Sequence, residues 1–304
     1  MANTASSSVP VVSGRAPCPC GSGRRYKACH GKRSAGIAAN PRPFAGRADE
    51  ADLVALRELV PSATAPLTIL SAPDRNVILG TALPLSAPVM VRENGEILLG
   101  LQAAARSDDV GRDLAQAIEV ALATEPGTTI EALSAPDPGP TFADLIGPDA
   151  LSITVHRGFD WLVANPDEIG EAETAAIAEA NEQVVPTSRL ESVDAAYWCR
   201  IGHRAHLRWA MPQDEDRLLD AFARLHHARS FDVGDGTRFV GAFRALGIVI
   251  PVWDLPSDRE SPEVEAPARV LADRLAEALA DTSPLTADQR ASRAGIISRQ
   301  LTIR

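Results

Sequence analysis

The sequence predicts an α+β protein: an N-terminal zinc finger-like motif, a linker, then two similar halves, each an antiparallel sheet with helices on one face. Three observations predict it. Apolar residues recur at helical spacing in some stretches and form short β-branched runs in others. The 23 prolines cut the chain into short elements. The order helix, strands, helix occurs twice. With 304 residues, 45% of them hydrophobic, the chain is long enough for one large core or two modest ones. At 4% aromatics, such cores are built mainly from Ala, Leu, Val and Ile. Charged residues, 23% and mixed in sign, exclude wholesale disorder.

Residues 1–33 hold a tail and a compact motif at 17–31, and 34–47, with Pro41 and Pro43, reads as a linker. The first half spans 48–133. Asp49-Glu50 opens a helix with Leu53, Leu56, Leu59 and Val60 on one face. Residues 77–79, 82–85 and 89–91 read as strands, and Asn94-Gly95 is a hairpin turn returning the chain through 97–101. A helix over 109–124 follows, with Val110, Leu114, Ile118 and Ala121 inward. Pro136, Pro138 and Pro140 mark a boundary at 134–141.

The second half spans 142–282. It is expected to contain a strand at 151–156, a helix near 172–184 and one strand over 196–209. A helix over 214–227, strands at 238–244 and 248–253, and a helix over 268–280 complete it. Residues 82–89 match 245–252, and 119–124 match 277–282, as a duplication predicts. Residues 283–304 are expected to carry a last helix, because Thr286 and Gln289 have capping-box spacing.

Charge is unevenly placed. The first 48 residues hold eight basic side chains and no acidic one, including both lysines of the chain, while the remainder has 22 basic against 40 acidic residues, a formal charge of −18. A basic arm on an acidic body suits a protein partner, nucleic acid or an anionic lipid surface. No apolar run approaches the roughly 20 residues that span a bilayer. Met1 to Gly14 lack both a basic start and an apolar stretch, so no signal peptide and a cytoplasmic location are expected.

Within the basic arm, Cys18, Cys20 and Cys29 are followed at once by His30. Three of the chain's four cysteines so close together in a reducing compartment argue for a metal rather than disulfides. A Cys₃His set fills a tetrahedral zinc site with no open position, which is a structural site. So short a segment buries no core, and the metal supplies its folding energy, on the order of 10–16 kcal/mol.

Cys18, Cys20, Ser22, Tyr26-Lys27 and Cys29-His30 closely resemble the SEC-C motif, the zinc-binding tail of the SecA preprotein translocase ATPase. The resemblance covers about fifteen residues. It implies one structural Zn²⁺ held by Cys18, Cys20, Cys29 and His30, and a docking surface made by Arg24, Arg25, Tyr26, Lys27, Lys32 and Arg33. In the translocase that surface is implied to bind an export chaperone and anionic lipid. The chain is not the translocase motor. Its only approach to GxxxxGK[ST] is Gly31-Lys32, where Tyr26 replaces the first glycine and Arg33 the hydroxyl residue. The whole chain is also similar to a high-GC bacterial family that joins this motif to a body of unknown function.

Catalytic candidates in the body are weak. On one continuous strand, Cys199 and His203 share a face and His206 points away, unless a turn falls near Gly202. His226 and His227 end a helix, with His226 expected inward. Asp232 and Asp235, beside Gly234 and Gly236, read as a turn. Trp198, Trp209 and Trp253 are either core fillers or a peptide-binding groove. No nucleophile, base and orienting group share a motif spacing. The expected function is a non-enzymatic zinc-dependent adaptor that docks an export, chaperone or ribosome-associated partner through the motif. The alternatives are nucleic-acid binding through the basic motif, or an enzyme.

Overall fold

The computed structural model describes residues 37–164 and 169–298, together with Arg25. The expected metal ligands Cys18, Cys20, Cys29 and His30 lie outside the described residues, as do Arg24, Tyr26, Lys27, Lys32 and Arg33. The body is an α+β fold of seven helices and two antiparallel-rich sheets among the described residues.

Helix α1 (Glu50–Glu58) is buried along most of its length, because its apolar residues face one core while its first-turn acids are paired. Glu50 meets Arg42, and Asp52 meets Arg189. Asp49, just ahead of the helix, meets Arg47 and accepts the Leu151 N–H. Acids also suit the positive end of a helix. The stretch expected as a linker is therefore part of the fold from Asn40 onward. Asn40 N–H donates to the Asp108 carbonyl over 3.0 Å, and Phe44 is fully buried.

The first sheet contains β1 (Ala63–Leu67), β2 (Val77–Gly80), β3 (Val89–Val91), β4 (Ile97–Gly100), β5 (Thr128–Ile130) and β6 (Thr154–Val155) in the order β5-β3-β4-β2-β1-β6. Asn94-Gly95 makes the expected β3–β4 turn, with Gly95 at φ 83°. All pairings are antiparallel except β2 with β4, which run parallel. The strands alternate between two environments. Leu79, Val89, Val91, Ile97 and Leu99 face the main core, while Ile78, Met90 and Leu98 face a small outer cluster with Leu83, Ala87 and Trp161. Helix α2 (Val110–Leu122) begins at Asp109, whose carboxylate accepts from the Gly111 and Arg112 N–H groups, and it buries Leu114, Ile118 and Ala121.

Short helix α3 (Phe142–Leu145) and helix α4 (Glu171–Glu182), which buries no side chain, follow. The second sheet comprises β7 (Thr187–Arg189), β8 (Ala196–Ile201), β9 (Arg204–Trp209), β10 (Arg238–Ala245) and β11 (Ile248–Leu255), ordered β10-β11-β9-β8-β7 and antiparallel throughout. Helices α5 (Glu215–His227), α6 (Glu265–Ala280) and α7 (Ala287–Ser298) cover one face, burying Trp198, Leu207, Trp209 and Trp253. The other face adds Tyr197, Phe243, Ile250 and Val252 to the core that holds α1 and the first sheet. The capping box at α7 forms as expected, with Thr286 Oγ1 accepting from Gln289 N and Gln289 Oε1 accepting from Thr286 N.

Four expectations are corrected. Residues 82–85 form no strand; a 3₁₀ turn at Pro84–Ser86 stands there, with Leu85 and Ser86 at φ 58° and 55°. Its match to 245–252 thus pairs a turn with a hairpin. Residues 196–209 are two strands, because Gly202, at φ 59°, turns the chain with His203. Lastly, β6 belongs to the first sheet, so the sheets divide after residue 156 and not at 134–141.

Candidate functional site

The segment with the strongest chemical signal is the Cys₃His stretch, whose donor atoms lie outside the described residues. Arg25 is described, and it is exposed. The donor set itself fits zinc: three thiols and an imidazole within thirteen residues would complete a tetrahedral shell with soft and borderline ligands. The structure adds where this segment leaves the fold. Asn40 and Arg42 are held beside Asp108, Glu50 and the Pro212 carbonyl, and the Pro41 carbonyl lies tight against Gly247.

The body candidates resolve differently. Because the two-residue turn at 202–203 reverses the chain, Cys199 faces His206 across the ladder and His203 sits in the exposed turn. His206 is in turn opposite Asp254, with its Nδ1 3.1 Å from Oδ1, and Arg238 donates to the same carboxylate over 2.7 Å. Thiol, imidazole and carboxylate thus share one row. The thiol is nevertheless 2% exposed, and burial pushes its pKa up, the opposite of an activated nucleophile. Burial also lowers the His206 pKa despite Asp254, keeping the ring neutral near neutral pH.

His226 is half-buried and His227 exposed, as the helix pattern predicts. Asp232 closes a turn by accepting from Gly234 N over 3.1 Å, while Asp235 is exposed. The tryptophans are core fillers and form no groove. Trp253 is fully buried with its indole N–H on the Phe231 carbonyl, Trp209 lies 6.5 Å from it, and Trp198 donates to the Arg259 carbonyl. Among the described residues, no group of three or more His, Cys, Asp or Glu side chains is placed to hold a metal.

A cavity that no sequence signal pointed to lies at the end of β4, between the 84–88 turn, the 103–106 loop and α2. Arg57 and Gln116 line it from α1 and α2. Neither belongs to a motif, and only the fold brings them together.

A SEC-C motif model matches residues 15–32, the segment that carries the cysteines. A model of a family of unknown function, DUF5926, matches residues 43–304, which is nearly the whole of the body described above. No curated protein and no solved structure matches the chain. With a metal-binding type of motif ahead of a body matched over most of its length, the chain belongs to the DUF5926 family and carries a SEC-C motif on its N-terminal side.

Proposed function

We propose that the protein is a cytoplasmic zinc-dependent adaptor, in which the SEC-C motif docks an export, chaperone or ribosome-associated protein and the body holds a client. The observation that carries this reading is the match of a SEC-C model to a segment with a complete Cys₃His donor set. Cys18, Cys20, Cys29 and His30 would hold the ion. When bound, it supplies folding energy to a peptide too short to bury a core. Arg24, Arg25, Tyr26, Lys27, Lys32 and Arg33 would present the basic contact surface.

The tether supports the reading as well. The motif match ends at residue 32 and the chain is fastened to the body at Asn40. The eight Cα–Cα steps from residue 32 to Asn40 span at most about 29 Å. A partner gripped by the motif is therefore kept near the flank made by Asp108, Pro212 and Gly247. An active-site reading finds little support in Cys199, since its thiol is buried and its pKa raised.

The test is quantitative co-purification from native cytoplasm with the full chain and with Cys18→Ser. Partners recovered by the full chain and lost from the variant are the expected result. Equal recovery from both removes the adaptor reading. Zinc-dependent recovery of RNA instead, abolished by added salt, moves the function to the nucleic-acid alternative.

A further inference from the structure

Helix α4 is the one α-helix among the described residues that buries no side chain. It is fastened at its ends. Glu173 accepts the Gly170 N–H, and Asn181 accepts the Phe159 N–H over 2.6 Å and donates to Asp160. Twelve residues without a buried face make a marginal helix on their own. Its charges add to the cost. Glu171, Glu179 and Glu182 fall on one face at helical spacing, and none of them has an ion-pair partner among the described residues. Glu179 and Glu182, three residues apart, repel each other.

Glu179 also lines a groove of about 530 Å³, whose apolar part is Pro61, Phe159, Ala180 and Val184. The sequence holds a complement to this surface. Residues 158–188 contain seven acids and no Lys, Arg or His. Residues 15–33 contain six Lys and Arg and no acid, with Tyr26 as their one aromatic side chain. The two are within reach of each other. The chain joins the body at Asn40, and Arg42 grips the first turn of α1 through Glu50. The groove opens at Pro61, just beyond the last turn of α1. That helix is about 14 Å long, whereas the thirteen steps from Lys27 to Asn40 span up to about 47 Å.

We propose that the basic N-terminal arm docks on α4 of its own chain, with its cations against Glu171, Glu179 and Glu182 and Tyr26 in the groove beside them. The body then carries a competitor for anything else the arm binds, which must first displace α4. The inference rests on charge and packing, and it holds whether or not the motif docks a partner.

Zero-length carbodiimide cross-linking of the full chain tests it. Lys27 and Lys32 are the only lysines, so every lysine amide formed reports the position of the arm. Links to Glu171, Glu179 and Glu182 are expected at least about fivefold above those to other exposed carboxylates, fading near 1 M salt, where charges are screened beyond about 3 Å. Mixing isotope-labelled with unlabelled chains separates links within a chain from links between copies. Links spread over the acids in proportion to exposure, or found only between copies, overturn the proposal. Tryptic cleavage after Arg24, Arg25 and Lys27 gives a second reading. The triple change Glu171→Gln, Glu179→Gln and Glu182→Gln keeps helix propensity and alters no buried side chain. Its melting midpoint is expected to hold while cleavage of the arm quickens about threefold or more, because cleavage follows the undocked population. Unchanged cleavage overturns the proposal equally.

Discussion

The phenolic oxygen of Tyr197 lies 2.6 Å from Oδ1 of Asp52, so the second sheet is bonded directly to the helix packed under the first. Arg189 completes the contact with two N–H groups, each 2.9 Å from an oxygen of the same carboxylate. A buried carboxylate is tolerable only when it is paired and hydrogen-bonded, and here both conditions are met.

Removing the phenolic hydroxyl therefore weakens more than a surface contact. Tyr197→Phe is expected to cost about 1–3 kcal/mol, read as a lower midpoint in urea with an unchanged slope. The same phenol predicts a loss of stability in alkali. Burial and the Asp52 charge hold its pKa well above the ordinary value. The unfolded chain releases this proton near pH 10 and the folded one does not, so stability falls as pH rises past about 10. Tyr197→Phe should flatten that limb.

Two histidines set the acid side. His156 bonds Thr64 Oγ1 through Nε2 at 2.7 Å and stacks on Trp161, and burial lowers its pKa. His206, beside Asp254, is lowered by the same cause. Below about pH 6.5 the unfolded imidazoles take up protons that the folded ones resist, so stability is expected to drop as pH falls from 7 toward 5. NMR titration of both rings checks the direction. Midpoints above 6.5 would contradict it.

Gly100 is a close-packed glycine. A β-carbon there would be driven against the backbone carbonyl of Ala87, which cannot swing aside as a side chain can. Gly100→Ala is expected to cost more than about 2 kcal/mol, in the range of core overpacking. Gly95→Ala meets open space and pays mainly for its φ of 83°, about 1 kcal/mol. Thermal melts of the two variants should rank in that order.

Elemental analysis of the purified protein is expected to find one zinc per chain, and none in a Cys18→Ser, Cys20→Ser double variant. Chelation should leave the cooperative unfolding of the body unchanged, because among the described residues the buried core runs from Phe44 to Ile296 and packs without any metal site. A chelator that melts the body would place metal in the fold itself.

Local signals in the sequence are legible where one physical cause dominates. The 3.6-residue spacing of Leu114, Ile118 and Ala121 gives α2, Asp109 caps it, and Asn94-Gly95 turns the β3–β4 hairpin. The less legible elements have causes too. Residues 196–209 hold no Pro, Asn or Asp and a single Gly, and the turn takes only two residues, so the stretch looks like one strand. That turn flips the parity, which is why Cys199 meets His206 and not His203. Strand β1 was hidden by Pro66, which is tolerated because β6 covers only Ala63 and Thr64 and leaves an edge at the proline. The SEC-C motif was legible because its residues lie at short spacing and need no fold to be recognised. Arg57 and Gln116 were not, since residues so far apart acquire meaning only once α1 and α2 pack.

The inner face of the second sheet supplies Phe243, Ile250 and Val252 to the same interior that α1 and the first sheet occupy. A cut after residue 156, where the sheets divide, would strip each fragment of part of its own wall and leave wet grease where a neighbour had stood. Melting should thus proceed as one event, and neither fragment is expected to fold when expressed alone.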